Sequence, residues 1–254
     1  YDGVQSTIDI SGSTAANLVF NLPSIVSSQS NAFLEDDSTS GNNIAQLRSG
    51  NSTFPTTIFT NPTASAAISP GNSGDTLTLN SLATTDFSSS LTLGSAASPF
   101  SSITFAGGLT LAANNSLSAN ATGTISLPNA TSNLAVSGTG SIGLTTAQNI
   151  SFSTGSSIAS VDGAITLSAN QQATPTGGDF IGIDISGATV QATGAGAVTL
   201  HGMGGDASTH FQRGVHVGSA ALVSGGTGGL LVVGQGGGSV AASSNDGVLL
   251  DGAS

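Results

Sequence analysis

Apolar residues stand two positions apart along most of this chain, with one small polar residue between them. The stretches 77–79 (Leu-Thr-Leu) and 165–167 (Ile-Thr-Leu) are typical. Side chains two apart in a strand lie on one face, so the pattern predicts short strands with aliphatic residues inward and threonine or serine outward. Glycine-rich segments separate these stretches and predict turns, where glycine readily adopts the positive φ angles that other residues avoid.

The pattern repeats with a fixed period toward the end of the chain. Residues 182–190 are matched by residues 214–222, 32 positions later, and a further copy opens at Gly247. A period of this length is typical of stacked repeats rather than of a globular domain. The aligned copies predict an inward ladder of Ile183, Val215 and Val248, of Ile185, Val217 and Leu250, of Val190 and Leu222, of Val198 and Leu230, and of Leu200 and Val232.

A shorter period precedes this one. Three pairs of aliphatic residues are each 25 positions apart, namely Leu109 and Leu134, Leu117 and Ile142, and Ile125 and Ile150. This spacing accommodates three short strands in one coil. Coils that stack about 4.8 Å apart and pair each strand with the coil below form a parallel β-helix. Stacked hairpins would instead need Asn-Gly or Asp-Gly turns between long strands, and none of the four Asp-Gly pairs stands in such a place.

We therefore expect an all-β chain, a right-handed parallel β-helix (a solenoid) preceded by a smaller β-rich segment. Residues 75–254 are predicted to form the β-helix repeats, truncated or continuing at the C-terminus. Residues 1–74 lack the later rhythm and hold four of the ten phenylalanines. Their larger, less repetitive apolar residues indicate an irregular β-rich N-terminal segment, either a capping unit or a small sandwich-like unit.

Composition narrows the function classes. Charged residues make up 6% of the chain, against roughly 25% in a typical soluble domain. The net charge is −11, and Arg48 and Arg213 are the only basic residues besides histidine, so we expect no nucleic-acid partner. No apolar run approaches the roughly 18 residues that span a bilayer, so no membrane insertion is expected. The absence of cysteine excludes disulfides and thiolate chemistry, and a chain this poor in lysine and cysteine is typical of exported proteins.

The repeats resemble those of known surface proteins. The Leu-Thr-Leu and Ile-Thr-Leu strands, and the coils 214–217 (Gly-Val-His-Val) and 226–229 (Gly-Thr-Gly-Gly), are similar to bacterial extracellular β-strand-repeat proteins and to filamentous-haemagglutinin- and autotransporter-like parallel β-helix proteins. The resemblance covers residues 75–254. It implies an extracellular or cell-surface location and a structural or adhesive role in a surface fibre, sheath or layer. It transfers no catalytic residue.

The copy that opens at Gly247 predicts an assembly end. A β-helix has unpaired N–H and C=O groups at its ends, which natural monomers cover with a cap. No cap is visible after Gly247, so Val248 and Leu250 are predicted to be bare. We expect this end to bind another subunit, by self-association, or further parts of the same chain.

Acidic residues provide weak candidates for metal binding. Residues 71–78 resemble half of a Gly-rich calcium-binding nonapeptide, with Asp75 as the candidate ligand, but such motifs bind Ca²⁺ only when several stack. A turn before a strand is the alternative. Glu35, Asp36 and Asp37 could hold a cation or act as paired carboxylates, although a solvated loop is the simpler interpretation. We otherwise expect no cofactor.

Asp184 and His216 occupy the same slot in adjacent copies. Stacking predicts that they lie about 5 Å apart on the outer face. With His201, Asp206 and His210 nearby in sequence, a metal site is conceivable, and an outward polar pair between coils is the alternative.

Two further functions remain open. A polysaccharide-active β-helix enzyme would need converging carboxylates or a basic residue in a groove, and the sequence indicates neither, so no enzyme is predicted. Outward threonines raise the alternative of an ice-binding module, although threonines that hydrogen-bond between coils explain them as well. A carbohydrate-binding module is a further alternative, but the chain has one tyrosine and no tryptophan, which argues against aromatic stacking on a sugar. Five Asn-x-Ser/Thr motifs could also carry surface glycans: Asn51, Asn114, Asn120, Asn129 and Asn149.

Overall fold

The computed structural model describes residues 7–24, 29–39, 41–82, 87–208, 211–238 and 244–252. These residues form strands and turns, with no helix among them. Most strands pair in parallel with the strand one coil away, as the repeats of 25 and 32 residues predict. The expected all-β parallel β-helix is therefore confirmed.

The strands are short. In chain order they are β1 (Ile8–Ile10), β2 (Asn17–Asn21), β3 (Asn31–Asp36), β4 (Ile44–Ser49), β5 (Thr57–Thr60), β6 (Ser65–Ser69), β7 (Thr76–Leu79), β8 (Ser90–Leu93), β9 (Ser102–Phe105), β10 (Leu109–Thr110), β11 (Leu117–Ala121), β12 (Ile125–Leu127), β13 (Asn133–Ala135), β14 (Ile142–Thr146), β15 (Ile150–Phe152), β16 (Ser157–Ser160), β17 (Ile165–Ala169), β18 (Ile183–Ser186), β19 (Thr189–Ala192), β20 (Val198–Met203), β21 (Val215–Gly218), β22 (Leu222–Ser224), β23 (Leu230–Gln235) and β24 (Val248–Asp251).

Three sheets run along the solenoid. Sheet A has the order β1-β5-β4-β3-β7-β9-β12-β15-β18-β21-β24, sheet B the order β2-β6-β8-β11-β14-β17-β20-β23, and sheet C the order β10-β13-β16-β19-β22. From β9 onward each winding passes from sheet A to sheet C to sheet B and then returns to sheet A.

The registers follow the sequence periods. The three pairs predicted from the 25-residue spacing are Cα partners in the structure. Ile183, Val215 and Val248 pair in succession, as do Ile185, Val217 and Leu250. Inward side chains of successive windings thus pile into one apolar cluster that extends from Leu22 to Ala221. Burying each valine, leucine or isoleucine stabilises the fold by about 1.5–3 kcal/mol before the entropy cost of ordering the chain.

Leu222 departs from the predicted ladder. It pairs with Thr189, and Val223 takes the place opposite Val190. The turn before β22 contains one more residue than the corresponding turn in the winding below, and Ser219 and Ala220 adopt φ angles of 55° and 61° within it. Val223 consequently packs on the core, and Leu222 lies on the outward-facing side of the strand.

Residues before Asp75 join the same sheets. Strand β3 pairs in parallel with β7, and β6 pairs in parallel with β8. Sheet A contains an antiparallel insertion here, since β3, β4 and β5 are successive antiparallel neighbours. Three strand intervals therefore separate β5 from β7 in sheet A, about 14 Å, against one interval of about 5 Å between β6 and β8 in sheet B. The insertion therefore widens sheet A alone, since β6 and β8 stay adjacent in sheet B.

Candidate functional site

The predicted assembly end consists of the last described strands of the three sheets. Leu230 is 46% exposed, Val248 40% and Leu250 65%, whereas their partners one winding below are buried. With Val217, Val223, Val232 and Gly252 they line an open cavity of about 390 Å³. The face that continues the inward column is thus apolar and accessible in the described part of the chain.

Gly247 occupies a crowded corner at this end. Its carbonyl oxygen accepts a hydrogen bond of 2.9 Å from the Val215 N–H. A Cβ added to Gly234 would lie 1.8 Å from that same oxygen, and one added to Gly214 would lie 2.5 Å from it. These glycines recur because two backbone segments approach closely where sheet B turns into sheet A. The sequence pattern indicated turns with positive φ here, but none of these three glycines has a positive φ.

An outward polar ladder crosses the last three windings of sheet A. The ring of His216 lies between two carboxylates, with Nδ1 2.9 Å from Asp184 Oδ1 and Nε2 2.9 Å from Asp251 Oδ1. Ser186 Oγ also donates to Asp184 Oδ1 at 2.7 Å. A neutral imidazole has one N–H and can donate to one carboxylate only, whereas the protonated ring donates to both. Only the protonated ring can therefore donate hydrogen bonds both to Asp184 of β18 and to Asp251 of β24.

Sequence reasoning found Asp184 and His216 and missed Asp251. The residue directly opposite His216 is Leu249, as the repeat predicts, and Asp251 stands opposite Gly218. The aspartate reaches the imidazole from the diagonal position two residues along the strand, a distance that side chains can bridge. Only the presence of glycine at 218, which leaves room beside the ring, could have indicated this contact.

The neighbouring acids and histidines do not gather into a metal centre. His201 lies in sheet B between Ser168 and Val233, away from the sheet A ladder, and its Nε2 is buried with no hydrogen-bond partner in the described structure. Asp206 accepts a hydrogen bond from the Gly178 N–H at 2.8 Å. His210 lies outside the described residues. Within the described ranges no three His, Cys, Asp or Glu side chains are placed to hold a metal ion.

Asp75 anchors a turn. It is completely buried, and its carboxylate accepts backbone N–H hydrogen bonds from Ser30 at 2.7 Å, Gly71 at 2.8 Å and Asn72 at 2.9 Å. Ca²⁺ is coordinated directly by about six to eight oxygen atoms, whereas the Asp75 carboxylate is surrounded by N–H donors. This arrangement favours the alternative of a turn before a strand, and the turn ties residues 71–74 to the start of β3.

Glu35 lies within β3, so the expectation of a solvated loop is wrong for it. Burial by itself would raise the pKa of Glu35, but hydrogen bonds from Arg48, Asn80 and Gln46 and the charge of Arg48 together lower it below its usual value. The Arg48 guanidinium in turn lies 4.1 Å from the centre of the Phe33 ring. This cluster joins β3, β4 and the end of β7 on the outer face of sheet A.

Four of the five glycosylation-motif asparagines use their side chains within the fold. Asn51 donates to Gln29 O at 2.6 Å and Asn129 to Ala106 O at 3.1 Å. Asn114 accepts from the Thr139 N–H at 3.0 Å and Asn149 from Thr124 Oγ1 at 2.8 Å. Asn120, in β11, makes no side-chain hydrogen bond with the described residues.

Among the described residues, helices of the length and apolarity needed to cross a bilayer are absent. None of the protein-family models, curated proteins or solved structures compared with the chain matches it. Its function must therefore be inferred from its own geometry.

Proposed function

We propose that this chain is a structural and adhesive part of an extracellular or cell-surface protein, in which stacked β-helical windings build a fibre, sheath or layer. One observation carries the proposal. The buried column of aliphatic side chains continues to a last described winding whose inward residues, Leu230, Val248 and Leu250, are exposed. An inward face of this kind is complementary to a further winding of the same design.

The chemistry of the exposed face supports stacking. Burying a leucine or valine that is otherwise in water is worth about 1.5–3 kcal/mol. The edge strands also carry unpaired N–H and C=O groups, which favour pairing with another strand. Another copy of the chain, or more of the same polypeptide, would satisfy both requirements.

Strand direction supports a head-to-tail arrangement of copies. Strand β1, at the other end of sheet A, is parallel to β5, which through two antiparallel steps is parallel to β3 and hence to β24. Its residues Ile8 and Ile10 are 46% and 39% exposed. A copy that places β1 beside β24 therefore keeps sheet A parallel across the contact. Repeated contacts of this type generate open filaments rather than closed dimers.

The composition of the chain supports the proposed extracellular location and a set of partners without nucleic acid. The scarcity of lysine and the absence of cysteine fit an exported protein, and a net charge of −11 disfavours nucleic acid as a partner. The proposed role involves no catalysis and no cofactor.

The test is the state of association of the purified chain, measured by small-angle scattering at rising protein concentration and by electron microscopy. We expect the longest dimension to grow with concentration. Leu230→Asp combined with Leu250→Asp places two charges on the end face and should abolish this growth. Leu231→Asp is the matched control, because Leu231 adjoins Leu230 and is similarly exposed, at 51%, but faces outward from sheet B.

A wild-type chain that remains a compact monomer at every concentration would overturn the proposal. Growth that Leu231→Asp abolishes and the end-face variant leaves intact would also contradict it, because the contact would then involve the outer face of sheet B.

A further inference from the structure

The corner where sheet B turns into sheet A varies in length along the solenoid. After β11 and β14 the turn comprises only residues 122–124 and 147–149. The preceding winding has a longer connection, 94–101, and the following winding one of 13 residues, 170–182. Two short turns thus lie between two longer loops, which produces a trough about three strand spacings wide, or about 14 Å.

This trough has a definite lining and a volume of about 400 Å³. That volume lies in the range of small-ligand sites in proteins. Ala96 and Pro99 form the wall on one side, and Gln171 and Gln172 form the wall on the other. The floor between them is the outer surface of sheet B.

Three polar side chains in register form the floor. Asn120 pairs with Thr145, and Thr145 pairs with Ser168, so they stand one above another at about 4.8 Å intervals. None of the three makes a side-chain hydrogen bond with the described residues, whereas the backbone of the floor is paired between windings. The floor therefore offers amide and hydroxyl groups to a ligand and no open strand edge.

The glutamine wall is fixed in place. Gln172 Nε2 donates to Ala147 O at 3.0 Å, to Asn170 Oδ1 at 2.8 Å and to Thr176 Oγ1 at 3.0 Å. Gln171 Nε2 donates to Ala169 O at 3.1 Å, and its Oε1 has no partner in the described part of the chain. A held side chain loses little conformational entropy when a ligand binds, so the wall is pre-organised.

The lining selects the chemical class of the ligand. None of its residues is charged, and the chain as a whole is strongly acidic, which disfavours phosphates and polyanions. A peptide that binds by strand addition needs an unpaired edge, which the floor lacks. A neutral sugar both donates and accepts hydrogen bonds through its hydroxyls, as amide and hydroxyl side chains do, and its C–H surfaces suit the alanine and proline wall.

We propose that the trough formed by Asn120, Thr145, Ser168 and Gln171 binds a neutral saccharide. Adjacent floor residues lie within reach of two hydroxyl groups on one hexose ring. The site lies on the side of the solenoid, remote from the end-face residues, so it does not depend on head-to-tail association.

The experiment measures binding of glucose, mannose and galactose hexasaccharides to the wild-type chain by saturation-transfer NMR and calorimetry, with a galacturonic acid hexamer as the acidic comparison. We expect at least one neutral hexamer to bind with a Kd below about 5 mM, typical of a small hydrogen-bonded site, and at least tenfold more tightly than the acidic hexamer. Asn120→Ala and Thr145→Val should each weaken binding roughly three- to tenfold, because each removes hydrogen bonds to the ligand.

Thr166→Val is the matched control, since Thr166 is an outward threonine of the same sheet outside the trough. It should bind as the wild-type chain does, and circular dichroism should show the same melting temperature for the three variants. Failure of all three neutral hexamers to bind at about 10 mM would overturn the proposal, as would equal binding by Asn120→Ala. A loss of binding in Thr166→Val equal to that in Thr145→Val would also overturn it.

Discussion

Nε2 of His216 lies 2.9 Å from Oδ1 of Asp251, although the two residues are 35 positions apart in sequence. The same ring contacts Asp184 through its other nitrogen. One imidazole therefore connects three successive strands of sheet A, and the outermost of them, β24, carries two of the bare residues of the assembly end.

This arrangement predicts that removing the imidazole weakens the attachment of β24. His216→Ala deletes the contacts to both Asp184 and Asp251. Because Asp251 is half exposed, we expect a loss of about 0.5–1 kcal/mol, or roughly two- to fivefold in hydrogen-exchange protection. The measurement is exchange of the Val215 and Val217 amides in the wild-type chain and the variant, under the same conditions.

His216→Gln supplies the control for that measurement. Glutamine retains a hydrogen-bond donor and an acceptor, so this variant should keep more protection of the β21 and β24 amides than His216→Ala does. Unchanged protection in His216→Ala would show that the contacts of the ring do not hold β24 in place.

The surroundings of Glu35 predict that the chain loses stability in acid. Its pKa is lowered in the folded chain, because hydrogen bonds from Arg48, Asn80 and Gln46 outweigh the opposing effect of burial. A lowered pKa stabilises the fold above the unfolded-state value near 4.5 and ceases to do so as pH falls through the folded-state value. We expect about 1 kcal/mol at most, given the partial exposure of the Arg48 partner.

The measurement for Glu35 is urea unfolding of the wild-type chain and of Glu35→Gln between about pH 3 and pH 6. Stability of the wild-type chain should fall more steeply below pH 5 than that of the variant. Parallel curves would mean that Glu35 titrates equally in the folded and unfolded chains.

The inward ladders could be predicted because strand alternation is a local property of the sequence. Ile183, Val215 and Val248 needed only the two-residue pattern and the alignment of copies. Leu222 could not be placed in this way. The chain gains one residue in the turn before β22 and loses one in the turn after it, so the register returns at Leu230 and the repeat period conceals the slip.

Contacts between windings were harder to predict than the windings themselves. The sequence placed the acidic run at Glu35 in a loop, because its partner Arg48 belongs to an antiparallel neighbour that no repeat reveals. The connection from β3 to β4 lacks a two-residue Asn-Gly or Asp-Gly turn and contains Ser38 and Asn43 with positive φ instead. The trough at Asn120 exists because two short turns lie between two longer loops. The sequence alone did not show which turns are neighbours in the solenoid.

The glycines at the corner between sheets B and A predict a sharp contrast between two substitutions. Gly234→Ala would place a Cβ 1.8 Å from Gly247 O, a backbone atom that cannot move without shifting β24. We expect a loss of about 1–3 kcal/mol, as for other overpacked sites. Gly143→Ala is the control, because nothing lies within 4 Å of its added Cβ and its φ is not positive, so stability should stay the same or rise by about 0.5 kcal/mol.

Thermal and urea unfolding of the two variants give the comparison. Equal stability of Gly234→Ala and Gly143→Ala would mean that the corner yields without cost, and that the recurring glycines reflect something other than close backbone approach.

Replacing the buried carboxylate of Asp75 by an amide is expected to lower the stability of the fold. Asp75→Asn turns one of the two oxygens into an N–H₂ group, which then faces the N–H of Ser30 or those of Gly71 and Asn72. Unfolding free energy should fall by about 1–3 kcal/mol, the cost of leaving buried donors unsatisfied. Asp162→Asn is the matched control, since one oxygen of Asp162 accepts the Ala195 N–H at 2.8 Å in an exposed position, and an asparagine oxygen can do the same.

The same residue gives a prediction for metal. Because three backbone N–H groups surround the Asp75 carboxylate, adding Ca²⁺ or a chelator should leave the unfolding midpoint of the wild-type chain unchanged. A rise in the midpoint with Ca²⁺ that disappears in Asp75→Asn would instead show that this turn opens to bind the ion. Equal stability of Asp75→Asn and Asp162→Asn would mean that the turn tolerates the loss of its anchor.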